Sequence, residues 1–391
     1  MRDENRSTRP LRLVGGRVLG PEGLQDRDLV LVDGRIGEAG AGSGEQVLDV
    51  EGLWIMPGLI DLHGDGFEHH LAPRRGVATD LCSGLRTVEM TLAGAGITTA
   101  WLAQFWSWEG GMRGPDFARR LAQALQDVRP TLKLDLRMQL RFEQSMIEDG
   151  AAIRALVAEH GINYVVFNDH LPHERLAAGR TPPRLTGNAL KAGRSPDAHL
   201  AEMKRLVARA DKVPEFVSAL AEDLKALGAT LGSHDDTDRS ARLHRGAQGL
   251  SVCEFPMSLA AAQAAKDRGE PVIMGAPNVV RAGSHNRGGV SAQSLIAEGL
   301  VDALASDYHY PTLLAATFAL VDRQILPLQD AWTLVSSGPA EILGVADRGT
   351  LEQGKRADVI LLDPERRQCV GVISRGEWVF AWGDLASGLA S

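Results

Sequence analysis

The sequence predicts an α/β protein built on a (β/α)8 TIM barrel, with a small β-sandwich domain formed by both chain termini. Two observations carry this. Short apolar runs alternate with amphipathic helical stretches from about Pro57 to Val345, and both chain ends read as sheet instead. Eight strands alternating with helices is the arithmetic of a barrel, although a doubly wound sheet shares that alternation.

The N-terminal strands are expected within Leu11–Leu19 and Asp28–Ile36, broken by Gly15-Gly16, Pro21–Gly23 and the hairpin signal Asp33-Gly34. The barrel strands follow at Leu59–Leu62, Ile97–Ala103, Leu134–Phe142, Tyr164–Asn168, Thr230–Ser233, Val252–Phe255, Val272–Gly275 and Ala303–Ser306. Helices are expected at Phe117–Leu125, Ala151–Glu159, Pro214–Leu227, Leu259–Arg268 and Leu313–Val321. Ala357–Leu362, Val370–Ile373 and Trp378–Trp382 return to sheet. The expected domains are residues 1–56 with 346–391, and a barrel over 57–345.

Composition narrows the function. Of 391 residues, hydrophobic ones make up 44% and charged ones 24%, which argues against disorder. Lys+Arg 42 against Asp+Glu 50 leaves a net charge of −8, so neither nucleic acid nor an acidic membrane is an expected partner. An anionic ligand would need a local basic cluster. Cys82, Cys253 and Cys369 are too few and too scattered for a disulfide framework, which fits a reducing compartment. No apolar run approaches the length of a membrane span, and the charged start MRDENRSTRP lacks the apolar core of a signal peptide. A cytoplasmic location is the expectation. The sequence leaves the oligomeric state open, a homo-oligomer included.

Histidines point to the chemistry. His160 and His199 sit among charged residues on helical stretches and read as solvated surface. His63, His170 and His234 each close or follow an apolar strand, and barrels carry their active sites at strand C-termini. Each has a carboxylate beside it, in Asp61-Leu62-His63-Gly64-Asp65, Asn168-Asp169-His170 and Ser233-His234-Asp235-Asp236. In a strand, residues two apart share a side, so His63 and Asp65 can hold one ion. Glu143 and Asp307 add carboxylates at further strand ends. Three imidazoles and three carboxylates suit two divalent metal ions, zinc first, with manganese or iron as alternatives. His69 and His70, in a polar loop, suit substrate contact or no role.

A second group could bind an anion. Met274-Gly275-Ala276-Pro277-Asn278 leads into Arg281-Ala282-Gly283-Ser284-His285-Asn286-Arg287-Gly288-Gly289, after the seventh strand and before a helix near Ser291. Barrels commonly bind phosphate there. Arg74 and Arg75, beyond the first strand, supply two more guanidiniums, and strands one and seven are separated only by strand eight. Asn278, Ser284 and His285 would add neutral donors. A solvated turn is the plainer reading of either loop. Gly349–Lys355 mimics a P-loop, but Arg356 stands where Ser or Thr is needed and a strand follows, so it reads as a turn. Trp101, Phe105, Trp106 and Trp108 read as core or rim packing ahead of a stacking wall for substrate.

Pro57-Gly58-Leu59-Ile60-Asp61-Leu62-His63 and the Gly354-Lys355-Arg356-Ala357-Asp358 turn resemble the amidohydrolase superfamily. Most members place a second histidine two residues after the first; here that residue is Asp65. Ser233-His234-Asp235-Asp236, Glu254-Phe255-Pro256, Met274–Asn278, Arg281, Gly283-Ser284-His285 and Ser306-Asp307-Tyr308 resemble its branch of ribose 1-methylphosphonate 5-triphosphate diphosphatases. That resemblance implies a metal-dependent hydrolase with His63, Asp65, Glu143, His170, His234 and Asp307 as ligands. It implies Glu143 in place of the carboxylated lysine of many relatives, and a phosphorylated small molecule as substrate. Asp307 would also take the proton of the attacking water. The sequence departs from the branch at Gly64-Asp65-Gly66, where Thr-Asp-Asn is usual, at Asn286–Gly289, and at an extra residue, His309. Hydrolysis of an amide, lactam or N-acyl amino acid is the alternative, and a non-catalytic scaffold the remote one.

Overall fold

The computed structural model of the chain describes residues 9–38, 45–74, 79–283 and 289–390. Its central sheet has eight parallel strands: β1 (Leu59–Gly64), β2 (Ile97–Trp106), β3 (Asp135–Glu143), β4 (Tyr164–Asn168), β5 (Thr230–His234), β6 (Val252–Glu254), β7 (Val272–Gly275) and β8 (Ala303–Ala305). All eight expected strands are present. Neighbours follow strict chain order, without the reversal that defines a doubly wound sheet, so the barrel is the correct alternative. Every residue of β2 is buried, because helices cover one face and the barrel interior the other. That double burial is why these strands read as unbroken apolar runs.

Helices Pro115–Val128, Gly150–His160, Val213–Ala226, Leu259–Asp267 and Thr312–Asp322 pack outside. Their starts follow local rules. Pro115 occupies the first turn of one, and Ser258 Oγ accepts from Ala261 N at the start of another.

The first and last strands meet without a ladder. A single bridge pairs Gly64 with Asp307, and backbone bonds run from Asp307 N to His63 O (2.9 Å) and from Asp65 N to Asp307 O (2.8 Å). Asp61, fully buried, completes the seam: its carboxylate accepts from Ser306 N at 3.0 Å and from Ser306 Oγ at 2.5 Å. The approach is close enough to require Gly64. A Cβ there would lie 2.6 Å from both Asp61 Oδ2 and Tyr310 Cε1. The ring of Tyr310 thus fills the space that a residue-64 side chain would take.

Outside the barrel lie two smaller sheets. One has four strands, in the order Arg35–Gly37, Leu29–Val32, Leu11–Val14, Gln46–Asp49. In the other, Glu377–Ala381, Gln368–Ser374 and Val359–Asp363 join Trp54–Pro57, Arg17–Gly20 and Gly23–Asp26. Strands from both ends of the chain therefore share one sheet, with Met56 paired to Ile360. The predicted stretch Leu11–Leu19 divides at Gly15-Gly16 into two strands that enter different sheets. The Gly349–Lys355 segment is loop and turn, as its sequence indicates.

An ion network joins these sheets to the barrel floor. Asp135, at the start of β3, lies 2.7 Å from Arg348, 2.9 Å from Arg137 and 3.3 Å from Arg356. Burial alone would raise the Asp135 carboxyl, but bonds and charge from Arg137 and Arg348 hold it well below the usual range.

Two helix histidines differ from each other. His160 is half-buried, its Nδ1 2.8 Å from Gln126 Oε1. His199, expected on the surface, is fully buried, its ring 5.4 Å from that of Trp108. It falls on the inner stripe of Pro196–Val207, beside Met203 and Leu206, and helical phase outweighs its charged neighbours in sequence. Trp101, Phe105, Trp106 and Trp108 are all buried, consistent with packing.

Replacing Asp135 by Asn should leave three guanidiniums without their shared charge and destabilise the fold by about 3–5 kcal/mol in urea unfolding. Because the folded pKa of Asp135 is depressed, its contribution is complete above the ordinary value of 3.8 and fades as pH falls below it. The variant should therefore lose less stability than the parent on acidification below about pH 4. Equal losses in both would count against this network.

Candidate metal centre

Strand register sets the site. Glu143 is level with Asn168, and His234 with Glu254, so the C-terminal ends of β3 to β6 share one layer at the barrel mouth. The β1–β2 register shifts between Asp61 and Gly64, where His63 turns inward. Such irregularities re-aim side chains beside active sites. Asp235, Phe255 and Asp307 follow their strands with positive φ of 60°, 53° and 57°, a conformation that costs energy outside glycine and clusters at functional sites.

The rings of His63 and His234 lie 5.5 Å apart, and those of His234 and His170 6.4 Å apart. Phe255 stands edge-on to the first two, at 5.0 and 5.1 Å. His63 Nδ1 is 2.9 Å from Glu254 Oε2. The carboxylate can only accept, so the proton sits on Nδ1 and the Nε2 lone pair faces the barrel mouth, the tautomer that a metal ligand needs. Burial pushes His234 below the ordinary imidazole value, against Asp235, and keeps it neutral. For His170 burial acts the same way, but the Glu143 carboxylate outweighs it and the ring is raised.

Glu254 belongs to a compact buried group with His63 and His234, and sequence reasoning did not name it for the site. Its Oε2 takes the His63 proton while Oε1 accepts from Gln139 at 2.9 Å and Tyr164 at 3.1 Å. Through Oε2, Glu254 orients the His63 ring. Its position at the end of β6 was the available signal. Arg141, also missed, enters between the imidazoles from β3, two residues before Glu143.

The residues present fit a divalent metal. Glu143 Oε1 and His170 Nδ1 face each other at 2.5 Å, yet neither has an aligned hydrogen-bond partner, and His234 Nδ1 also lacks one. Buried groups of this kind are normally satisfied. Asp65, just past β1, lies 3.9 Å from Arg141, and Asp307 borders a cavity of about 390 Å³ with His234 and Arg141. Burial raises the Asp307 carboxyl, with His63 opposing.

Asn278 and Arg281 line the same cavity. The Asn278 amide has structural work: it donates to Val290 O (3.1 Å) and accepts from Ala292 N (3.0 Å), bracketing the loop between. Arg74 is exposed beyond β1, while Arg75, Ser284, His285 and Arg287 lie outside the described residues. His69 is exposed and His70 half-buried on the short helix Glu68–Leu71, apart from the buried metal group.

No protein-family profile matches the chain. A single relative decides the matter: the chain is 33% identical to the alpha-D-ribose 1-methylphosphonate 5-triphosphate diphosphatase of Escherichia coli K12 over 81% of its own length and 85% of the relative's. The chain belongs to that diphosphatase family. Solved structures agree on the fold. A beta-aspartyl dipeptidase from Fervidobacterium islandicum superposes with a TM-score of 0.62 at 15% identity, covering 96% of this chain and 97% of the other. An N-acetylglucosamine-6-phosphate deacetylase from Pasteurella multocida gives 0.64 at 12%, covering 95% and 100%. As a member of that family the chain is a hydrolytic enzyme, and His63, His234 and Glu254 form a candidate metal group in it.

Protein purified without chelator should carry about one to two equivalents of zinc, manganese or iron by elemental analysis. His234→Asn should lower that occupancy. Glu254→Gln should weaken metal affinity about 10–100-fold by loosening His63. Wild-type affinity in both variants would remove these side chains from the centre.

Proposed function

We propose that this amidohydrolase-superfamily member cleaves α-D-ribose 1-methylphosphonate 5-triphosphate, releasing pyrophosphate and leaving the 5-phosphate. The relationship to the Escherichia coli enzyme carries the reading. The lining of one cavity by His234, Asp307 and Arg281 supports it. Its volume of about 390 Å³ suits a small molecule.

His63, Asp65, Glu143, His170, His234 and Asp307 would hold two divalent ions, with zinc the leading choice. When bound, such ions polarise a phosphoryl group and lower the pKa of water. Asp307 is the proposed base for that water's proton, and the burial that raises its carboxyl makes it the stronger acceptor. Its left-handed backbone is fixed by the two bonds across the seam. The oxygen from water ends on the phosphorus nearest the sugar, and the bond to the bridging oxygen of the leaving pyrophosphate breaks. Arg281 would neutralise charge on that leaving group, as a guanidinium does through paired charge-assisted bonds. A net charge of −8 makes such local positive groups necessary.

Metal-loaded enzyme should release pyrophosphate from the ribosyl triphosphate and leave dihydroorotate, N-acyl amino acids and β-aspartyl peptides intact. The opposite pattern would replace this reading with amide hydrolysis. Arg281→Ala should lower kcat/KM for the triphosphate by about one to two orders of magnitude without changing metal content. Asp307→Asn should lower kcat by about 10²–10⁴-fold.

A further inference from the structure

Arg141 shares the inward face of β3 with Glu143, two residues on. Only 6% of its side chain is exposed, and its guanidinium carbon lies 4.0 Å from the centre of the Phe105 ring. Nη1 stands 3.3 Å from His63 Nε2, and Nη2 stands 3.0 Å from His234 Nε2. One fork thus spans the two imidazoles. Since His63 Nδ1 carries the proton given to Glu254, its Nε2 has one lone pair to offer. A guanidinium N–H and a divalent cation both require that lone pair, and both are positive. They exclude one another there.

Arg141 also has somewhere else to go. It lines the cavity that Asp307 and Arg281 border, and Asp65 Oδ2 lies 3.9 Å from its Nη1. Among the described residues its Nε has no hydrogen-bond partner, and the fork is held by the two imidazoles, the Phe105 face and the Asp65 charge.

We propose that Arg141 is a metal-coupled anion ligand. A divalent ion at His63 and His234 takes the two lone pairs, and the guanidinium turns into the cavity to bind an anionic group of the substrate. Metal and guanidinium compete at the imidazoles, whereas metal and anion assist each other. By linkage, an anion that holds Arg141 in the cavity raises metal affinity by the same factor that metal raises anion affinity. The inference rests on the metal reading of this centre and not on which substrate is cleaved.

The test uses the full chain stripped of metal, titrated with zinc against a competing chelator, and inorganic phosphate binding to the zinc-loaded protein by calorimetry. Arg141→Met keeps bulk and removes the charge. It should bind zinc about tenfold or more tightly than the parent, and phosphate about ten- to a hundredfold more weakly. Arg141→Lys keeps a charge but loses the fork, so zinc affinity should rise again while phosphate affinity falls less than tenfold. If the methionine variant does not fold, the lysine variant carries the test. Unchanged or weaker zinc binding in a folded variant would overturn the proposal, because a residue that only packs the site would give that result. A parent that binds no zinc, manganese or iron would remove the metal reading and this inference together. Failure of pyrophosphate release alone would overturn only the substrate assignment.

Discussion

Asp61, buried where the last barrel strand meets the first, joins two stretches of chain that have no ladder between them. β8 pairs in register with β7 but meets β1 through the isolated Gly64–Asp307 bridge. The remaining closure falls to a side chain. Burial raises the Asp61 carboxyl, and the two bonds from Ser306 oppose that cost. The seam residues are also the reactive ones. Asp307 donates to His63 O and accepts from Asp65 N across it, so barrel closure and the geometry of the candidate metal site depend on the same few atoms.

The next layer is charge balance. Asp65, Glu143, Asp235, Glu254 and Asp307 converge on the barrel mouth, and so many carboxylates cannot share a dry site without cations. Arg141 supplies one, held at the Nε2 atoms of His63 and His234. Away from the mouth the same principle acts without chemistry. Arg242, fully buried behind His234, lies 2.9 Å from Asp236 and 3.1 Å from Glu270. This pairing anchors the Ser233–Asp236 segment from behind and gives the second aspartate of the His-Asp-Asp motif a structural role. The first, Asp235, faces His234 and the cavity.

Departures from the family motif also lie close together. Tyr310 fills the side-chain space of Gly64, and a Cβ at Gly66 would lie 3.3 Å from the same ring. His309, the extra residue, sits between Tyr308 and Tyr310.

The sequence by itself determined the eight strands, their helices and the strand ends that carry His63, Glu143, His170, His234 and Asp307. Each is a local property: period, breakers, and residue type at the end of a run. It could not show that Glu254 orients His63, a pairing across 191 residues, nor that Arg141 reaches His63 and His234 across 78 and 93. It misplaced His199 because charged neighbours in sequence say little about which helix face meets the core. Which imidazole nitrogen stays free, which carboxylate has capacity left, and which arginine faces the cavity were decided by barrel closure, which brings strand ends together regardless of their separation along the chain.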